Sequence, residues 1–319
     1  MTEQKIRLAV VGAGAFGRNH LRVIRQSPRA DLVAAVDIDP ARAGEAAREF
    51  GCEALADWRD LAGRADAAVV AVPTDRHAET GAGLLECGID VLMEKPIAAT
   101  AAAARMLTGC AERHGRVLQA GHLERFNPAV LLLEQQVTVP LFFEIHRLSE
   151  FTARSLDIDV VMDLMIHDID IVLALTRQTP AEIRAAGLRL LTGKVDIANV
   201  RLAFPGGCIA NLTASRVSVE RIRKLRLFQP HQYLSIDYSR QDGVVCSVGA
   251  DRRIDFRPLA VARDEPLRLQ LESFLDRVHD RARPHVDGAA GAAAIEVAEA
   301  ILDKIEEHAE LVAAAIAAH

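Results

Sequence analysis

Several common features are missing from this sequence, and each absence removes a class of function. No CxxC pair and no HExxH motif occurs, and the eleven histidines show no ligand spacing, so no metal site is expected. The five cysteines (Cys52, Cys87, Cys110, Cys208 and Cys246) are odd in number, widely spaced and set in apolar or helical surroundings. They read as small core residues in a reducing compartment rather than as a disulfide framework. No apolar run approaches the length needed to cross a bilayer, and Met1-Thr2-Glu3-Gln4-Lys5 leads straight into a strand pattern. Neither a membrane span nor a signal peptide is expected, which makes the reading a cytoplasmic protein. Aromatic residues are 4% of the chain, no basic run interleaves with them, and the formal charge is −6. That balance argues against a nucleic-acid partner. Internal repeats, low-complexity segments and long flexible linkers are also missing.

What remains is a chain of 319 residues, half of them apolar, long enough for two domains. Its first organised stretch is Ile6 to His20. An apolar run ending at Val11 reads as a buried strand, Gly12-x-Gly14-x-x-Gly17 as a glycine loop, and the residues up to Ser27-Pro28 as a helix. In that arrangement the first glycine makes the tight turn, the second admits a pyrophosphate and the third lets helix and strand approach. Gly12, Gly14, Ala15, Phe16 and Gly17 are therefore candidate cofactor contacts, with free N–H groups at the helix start. A second apolar run, Leu32 to Val36, ends in Asp37, twenty residues beyond Gly17. An acid there accepts hydrogen bonds from the adenosine ribose and repels a 2′-phosphate, so the cofactor expected is NAD rather than NADP. Asp39 is read as the cap of the helix beginning at Pro40, leaving Asp37 free.

The following residues alternate strand and helix. Asp66 to Val72 and Ile89 to Met93 are nearly unbroken apolar runs, and helices are expected around His77 and over Ala98 to His114. The polar motifs Pro73-Thr74-x-x-His77 and Glu94-Lys95-Pro96 follow those strands, at the edge where ligands of a doubly wound parallel sheet sit. Near Gly121 the pattern changes to long alternating segments joined by hairpin signals at Thr192-Gly193, Pro205-Gly206-Gly207 and Gln241-Asp242-Gly243. The fold class is thus α/β: an N-terminal Rossmann domain over 1–121, then an α+β domain over 122–319 with a large, open-faced, mainly antiparallel sheet. One face of that sheet is expected to carry helices and the other to meet a second copy, giving a homo-oligomer.

One helix, Asp159 to Leu175, interrupts the sheet and places Asp163 and His167 four apart on one face, with Asp170 a turn further on. Carboxylates beside an imidazole suit a general base, and suit a structural hydrogen-bond network equally. Lys95 is the other candidate for chemistry. His122, Glu124, Arg125 and Asn127 lie where the two domains join, the usual position of a substrate cleft. Arg154, Arg216 and Arg223 are each able to clamp a diphosphate or to serve as solvated sheet residues.

Taken together and in order, Gly12-x-Gly14-x-x-Gly17, Asp37, Pro73-Thr74-x-x-His77, Glu94-Lys95-Pro96 and Asp163-x-x-x-His167 resemble the glucose-fructose oxidoreductase, inositol dehydrogenase and MocA (Gfo/Idh/MocA) family over essentially the whole chain. The resemblance implies oxidation or reduction of sugar or polyol hydroxyls with a nicotinamide cofactor, and an active site lined by Lys95, Asp163 and His167. Pro73, Thr74, His77, Glu94 and Lys95 join the expected cofactor contacts, and Glu124, Arg125, Asn127, Arg154 and Arg216 the expected substrate contacts. Gly121 to Pro128 and Asp163 to Asp170 look most like bacterial UDP-N-acetylglucosamine 3-dehydrogenases. Methionine and isoleucine replace the glycines that the wider family often has before the helix histidine. The subgroup implies a UDP-sugar substrate and a partner aminotransferase in lipid A (lipopolysaccharide) biosynthesis. A polyol or free-sugar dehydrogenase, and a dinucleotide-binding regulator without turnover, are the alternatives.

Overall fold

The computed structural model describes residues 5–152, 158–249 and 251–317. By internal contacts the chain forms two units, Met1–Leu123 with Glu265–Ala293, and Glu124–Asp264 with Ala294–His319.

In the first unit the elements run β1 (Ile6–Val11), α1 (Ala15–Gln26), β2 (Ala30–Val36), α2 (Pro40–Phe50), β3 (Glu53–Leu55), β4 (Ala67–Val70), α3 (His77–Glu86), β5 (Asp90–Glu94), α4 (Ala101–His114) and β6 (Leu118–Gly121). The six strands are parallel, in the order β3-β2-β1-β4-β5-β6. Strands β1, β4 and β5 sit centrally, and Leu8, Val10, Ala67, Val69, Val91 and Leu92 are wholly buried. Helices on both faces require that unbroken apolar character. Strand order reverses between β1 and β4, so the loops after these strands flank the crevice where such sheets bind ligands. The helices start where local chemistry says they should: Asp39 accepts from Ala41 and Arg42 N–H ahead of Pro40, and Thr100 from Ala103 N–H ahead of α4. Between α2 and β4 the chain adds the short edge strand β3 and then a 3-10 turn, Trp58–Leu61.

The division expected at 121/122 needs a correction. Helix α7 (Pro266–Asp280) and the first residues of α8 (Gly288–Ala317) pack with the first unit. Leu267, Leu271, Phe274 and Leu275 of α7 join one core with Leu8, Leu21 and Ile24, and Arg29 pairs with Glu272 and Asp276 at 3.0 and 2.8 Å. An α1 face that is apolar along its length needs a cover, and α7 supplies it.

The second unit contains α5 (Pro128–Gln136), β7 (Phe142–Leu148), α6 (Ile166–Thr176), β8 (Glu182–Leu188), β9 (Ile197–Ala203), β10 (Ile209–Ser215), β11 (Ile222–Gln229), β12 (Gln232–Asp237), β13 (Asp242–Val248) and β14 (Ile254–Pro258). They form an eight-stranded sheet, β14-β13-β12-β11-β7-β10-β9-β8, antiparallel except where β10 runs parallel to β7. Alternation gives it one covered face, with Phe143, Ile145, Leu212, Leu225 and Leu234 buried. The other face exposes Asn199, Arg201, Arg226 and Phe228. The three hairpin signals do join antiparallel neighbours.

Asp196 organises the β8–β9 hairpin. Its carboxylate accepts from the N–H groups of Leu190 (2.8 Å), Leu191 (2.7 Å) and Thr192 (3.0 Å) and from the Thr192 hydroxyl (2.8 Å). Burial opposes the charge, yet those donors hold its pKa down at about 2. A depressed native pKa contributes stability above the unfolded value of about 3.9, and that contribution is lost as pH falls through the native one. Denaturant titrations are expected to show stability falling between about pH 4 and about pH 2, and Asp196→Asn should flatten that part of the profile. An unchanged slope in the variant would show that Asp196 does not supply it.

Candidate active site

The glycine loop shows which of its glycines the protein needs for itself. Gly12 has φ +98°, and a Cβ there would lie 2.4 Å from the Ala71 carbonyl oxygen. At Gly17 a Cβ would meet the Gly12 carbonyl oxygen at 1.8 Å. Gly14 differs: its φ is −68°, open to any residue, and apart from its own stretch of chain no described atom lies within 4 Å of the position its Cβ would take. Helix α1 begins there with no side-chain cap and no acid in its first turn, so its positive end is uncompensated. Ala15 and Phe16 are exposed beside it. This loop fits a dinucleotide pyrophosphate.

Asp37 follows β2 as expected but is not free. Its carboxylate accepts from Ala13 N–H at 2.9 Å and Asp39 N–H at 3.0 Å, and Arg42 approaches it at 3.5 Å. It therefore pins the glycine loop as well as presenting an acid at the sheet edge.

Beyond β4 and β5, His77 binds two strand-end loops together. One ring nitrogen lies 2.9 Å from the Val72 carbonyl and the other 2.8 Å from the Pro96 carbonyl. Burial lowers its pKa, against the two carbonyls that favour its cation. Pro73 and Thr74 lie between the first carbonyl and His77, and Thr74 opens a 3-10 turn. Glu94 is buried: one carboxylate oxygen lies 2.7 Å from His20 Nε2, and the other accepts the Lys95 N–H at 3.3 Å. Lys95 is half-buried at the carboxyl end of β5. Its side chain thus starts from a point fixed by Glu94 on one side and the His77 clamp on the other.

In the second unit the expected single helix over 159–175 is two pieces. Val161–Met165 forms a π-helical turn, closed by Ile166 N–H on the Val161 carbonyl, before α6 begins. Asp163 lies in the π turn and His167 in the first turn of α6, both half-buried. Such single π turns are frequent at functional sites. Asp168, the next residue, points inward. Its carboxylate takes both Nε and Nη2 of Arg147 at 2.7 Å, a bidentate pair, while Arg147 Nη1 donates to Glu124 at 2.9 Å. Arg223 donates to the same Glu124 oxygen at 3.1 Å, and the Tyr238 ring lies 5.1 Å from the Arg147 guanidinium. Burial opposes the charge on Arg147, but Asp168 and Glu124 outweigh it and raise its pKa far above normal. Glu124, against its own burial, is held below the usual carboxylate range by Arg147 and Arg223.

Three of the expected substrate contacts are thereby occupied within the protein. Glu124 bridges two guanidiniums, Asn127 caps α5 through Ala129 N–H and donates to the Tyr238 carbonyl, and Arg125 donates to Glu134 at 2.7 Å. Arg216 donates to the Ile158 carbonyl and approaches Asp196 at 3.8 Å. Arg154 lies outside the described residues. Arg216 also borders a cavity of about 610 Å³ together with Glu150, Asp163, Leu164, Arg221 and Arg223. Sequence reading missed Arg147 and Arg221. The first carried a signal, since Arg147 shares the inward phase of Phe143 and Ile145 on β7. The second, at the mouth of a loop, carried none.

Known proteins with similar sequences and structures match along the chain. Residues 6–122 match an oxidoreductase family with an NAD-binding Rossmann fold, and residues 131–229 match the Gfo/Idh/MocA C-terminal domain. The UDP-N-acetylglucosamine 3-dehydrogenase of Acidithiobacillus ferrooxidans is 34% identical, over 93% of this chain and 97% of its own. Its solved structure superposes with a TM-score of 0.91 at 32% identity, covering 95% of this chain and 99% of that one. An inositol 2-dehydrogenase of Rhizobium meliloti is 24% identical over 95% of this chain and 97% of its own. A levoglucosan dehydrogenase in complex with NADH and levoglucosan shares the fold at a TM-score of 0.86 and 18% identity, over 95% and 98% of the two chains.

The three glycines are expected to separate folding from cofactor binding. Gly17→Ala should destabilise the protein, by roughly 1–3 kcal/mol or more, because backbone must move. Gly14→Ala should leave the thermal midpoint nearly unchanged and weaken NAD binding at least tenfold, as read by quenching of intrinsic fluorescence or by calorimetry. Undiminished NAD affinity in Gly14→Ala would mean that the space at Gly14 is not where the pyrophosphate lies.

Proposed function

This chain belongs to the Gfo/Idh/MocA family of NAD-binding oxidoreductases, and within that family we propose that it oxidises UDP-N-acetylglucosamine at carbon 3 to the 3-keto sugar nucleotide. The observation that carries the reading is the full-length similarity to the Acidithiobacillus ferrooxidans enzyme of that name. The glycine loop and the acid at Asp37 support NAD as the cofactor. Oxidation of an alcohol by NAD is uphill near neutral pH, so the keto sugar forms only to a small extent at equilibrium and a following step that consumes it draws the reaction forward. An aminotransferase that forms the 3-amino sugar for lipid A biosynthesis is that step in this reading. The setting is the cytoplasm, and the assembly is a homo-oligomer, supported by the uncovered sheet face that carries Phe228 and Arg226.

His167 takes the proton of the sugar hydroxyl, since an imidazole titrates near working pH without perturbation. Asp163 orients the ring and stabilises its cation. Lys95 donates to the same oxygen and steadies the alkoxide charge as it develops. NAD, when bound, supplies the hydride acceptor. Glu124, Asn127 and Arg125 serve by holding the second unit's framework, and Arg216 by bordering the substrate cavity.

NADH formation is expected with UDP-N-acetylglucosamine and not with N-acetylglucosamine alone, because the remote nucleotide supplies binding energy that orients the reacting carbon. Comparable turnover of inositol or free glucose would favour the polyol or free-sugar dehydrogenase instead.

Changes at the two candidate bases should differ in their pH profiles. His167→Asn is expected to lower kcat by roughly 10²–10⁴-fold with NAD affinity intact, and to abolish the rise of rate with pH. Lys95→Met should also be severe while keeping that rise. If the rise disappears in Lys95→Met and survives in His167→Asn, lysine is the base.

A further inference from the structure

The cavity beside Asp163 has charges of opposite sign on different chain segments. Arg216, Arg221 and Arg223 come from the end of β10, the connection that follows it and the start of β11. Asp163 and Glu150 bring carboxylates, from the π turn and from the residues after β7.

The three guanidiniums are not equivalent. Arg216 is 7% exposed, donates to the Ile158 carbonyl and has Asp196 at 3.8 Å, so it is part of the framework. Arg223 lies directly across from Arg147 in the β7–β11 register, an arrangement in which like charges repel. Glu124 bridges the two, but Arg223 Nε is buried and has no hydrogen-bond partner among the described residues. Arg147 and Arg223 are balanced by Asp168 and Glu124, two cations against two carboxylates. Arg221 is exposed, and no described acid pairs with it. It is the surplus cation of this wall, and Arg223 beside it still has a donor to give.

We infer that Arg221 and Arg223 form the subsite for the diphosphate of a nucleotide-linked sugar, with the sugar extending toward Asp163. The assignment rests on the UDP-sugar reading given above. It differs from a general anion site in its second half: the acids at Asp163 and Glu150 accept from sugar hydroxyls and repel a second phosphate. A diphosphate bridged to a neutral polyhydroxyl matches that split, whereas a free polyol leaves the arginine wall without a partner. Arg216 holds the loop that carries Arg221 and makes no phosphate contact in this scheme.

The experiment is calorimetric titration of the NAD-loaded enzyme with UDP and with uridine, together with KM and kcat for UDP-N-acetylglucosamine. The variants are Arg221→Ala, Arg221→Glu and Arg223→Lys, the last keeping a charge beside Glu124. Each lost or misdirected charge-assisted bond is expected to weaken UDP by about ten- to a hundredfold, with Arg221→Glu the most severe. Uridine affinity and NAD affinity should stay as in the parent, and KM should rise more than kcat falls. If the variants keep the parent's UDP affinity in an enzyme that turns over UDP-N-acetylglucosamine, the subsite is wrong and the substrate reading stands. UDP binding that depends on both arginines without turnover of UDP-N-acetylglucosamine keeps the subsite and removes that sugar. No UDP binding by the parent enzyme overturns both.

Discussion

The second unit depends on how it keeps a full positive charge inside an apolar layer. Arg147 is 1% exposed and projects from the covered face of the sheet, where its neighbours in phase are Phe143 and Ile145. A guanidinium is tolerable there only with its donors engaged and its charge met. Asp168 meets it from α6 and Glu124 from the 3-10 turn Leu123–Phe126, so one side chain ties a strand, a helix and a turn at fixed distances. His167 inherits its place from this arrangement, because the residue next to it cannot move without unpairing a buried ion. The desolvation that makes such a pair costly also makes its geometry unforgiving.

The first unit solves a different problem, that of leaving backbone donors exposed without losing the fold. Gly12 and Gly17 bring β1, α1 and the loop after β4 within backbone contact, and Asp37 takes up Ala13 N–H. The donors of α1 that no side chain caps are then the ones left facing outward. Asp37, the acid proposed to favour NAD, is thus also a part of the loop's geometry. Charge at that position cannot be altered without also loosening Ala13 and Asp39.

Much of this was legible because it depends on period and on local chemistry. The unbroken runs of β4 and β5, the alternation of β9 to β12, the hairpin turns and the Asp39 cap each follow from residues close in sequence. What could not be read depends on partners far away. Glu124 and Asn127 look like cleft residues by position, and only the fold shows that Arg147 and Tyr238, 23 and 111 residues on, engage them. The π turn adds one residue to a ring of hydrogen bonds in a stretch, Val160 to Ile171, that reads as ordinary helix. The return of α7 to the first unit is equally invisible, since an amphipathic helix declares that it has a face to bury and not where.

That return has a consequence for the order in which the chain can mature. The core around Leu21 and Ile24 includes Leu267, Leu271 and Phe274, which are synthesised more than 240 residues later. Domains generally fold as units as they leave the ribosome, N-terminal first. Here the N-terminal segment emerges with one helix face lacking its cover, and the whole of Glu124–Asp264 must be made before the cover arrives. Until α7 is made, the part of the α1 face that it covers in the finished protein lacks that cover. A fragment cut at residue 123 would keep the glycine loop and lose the helix that shields its sheet.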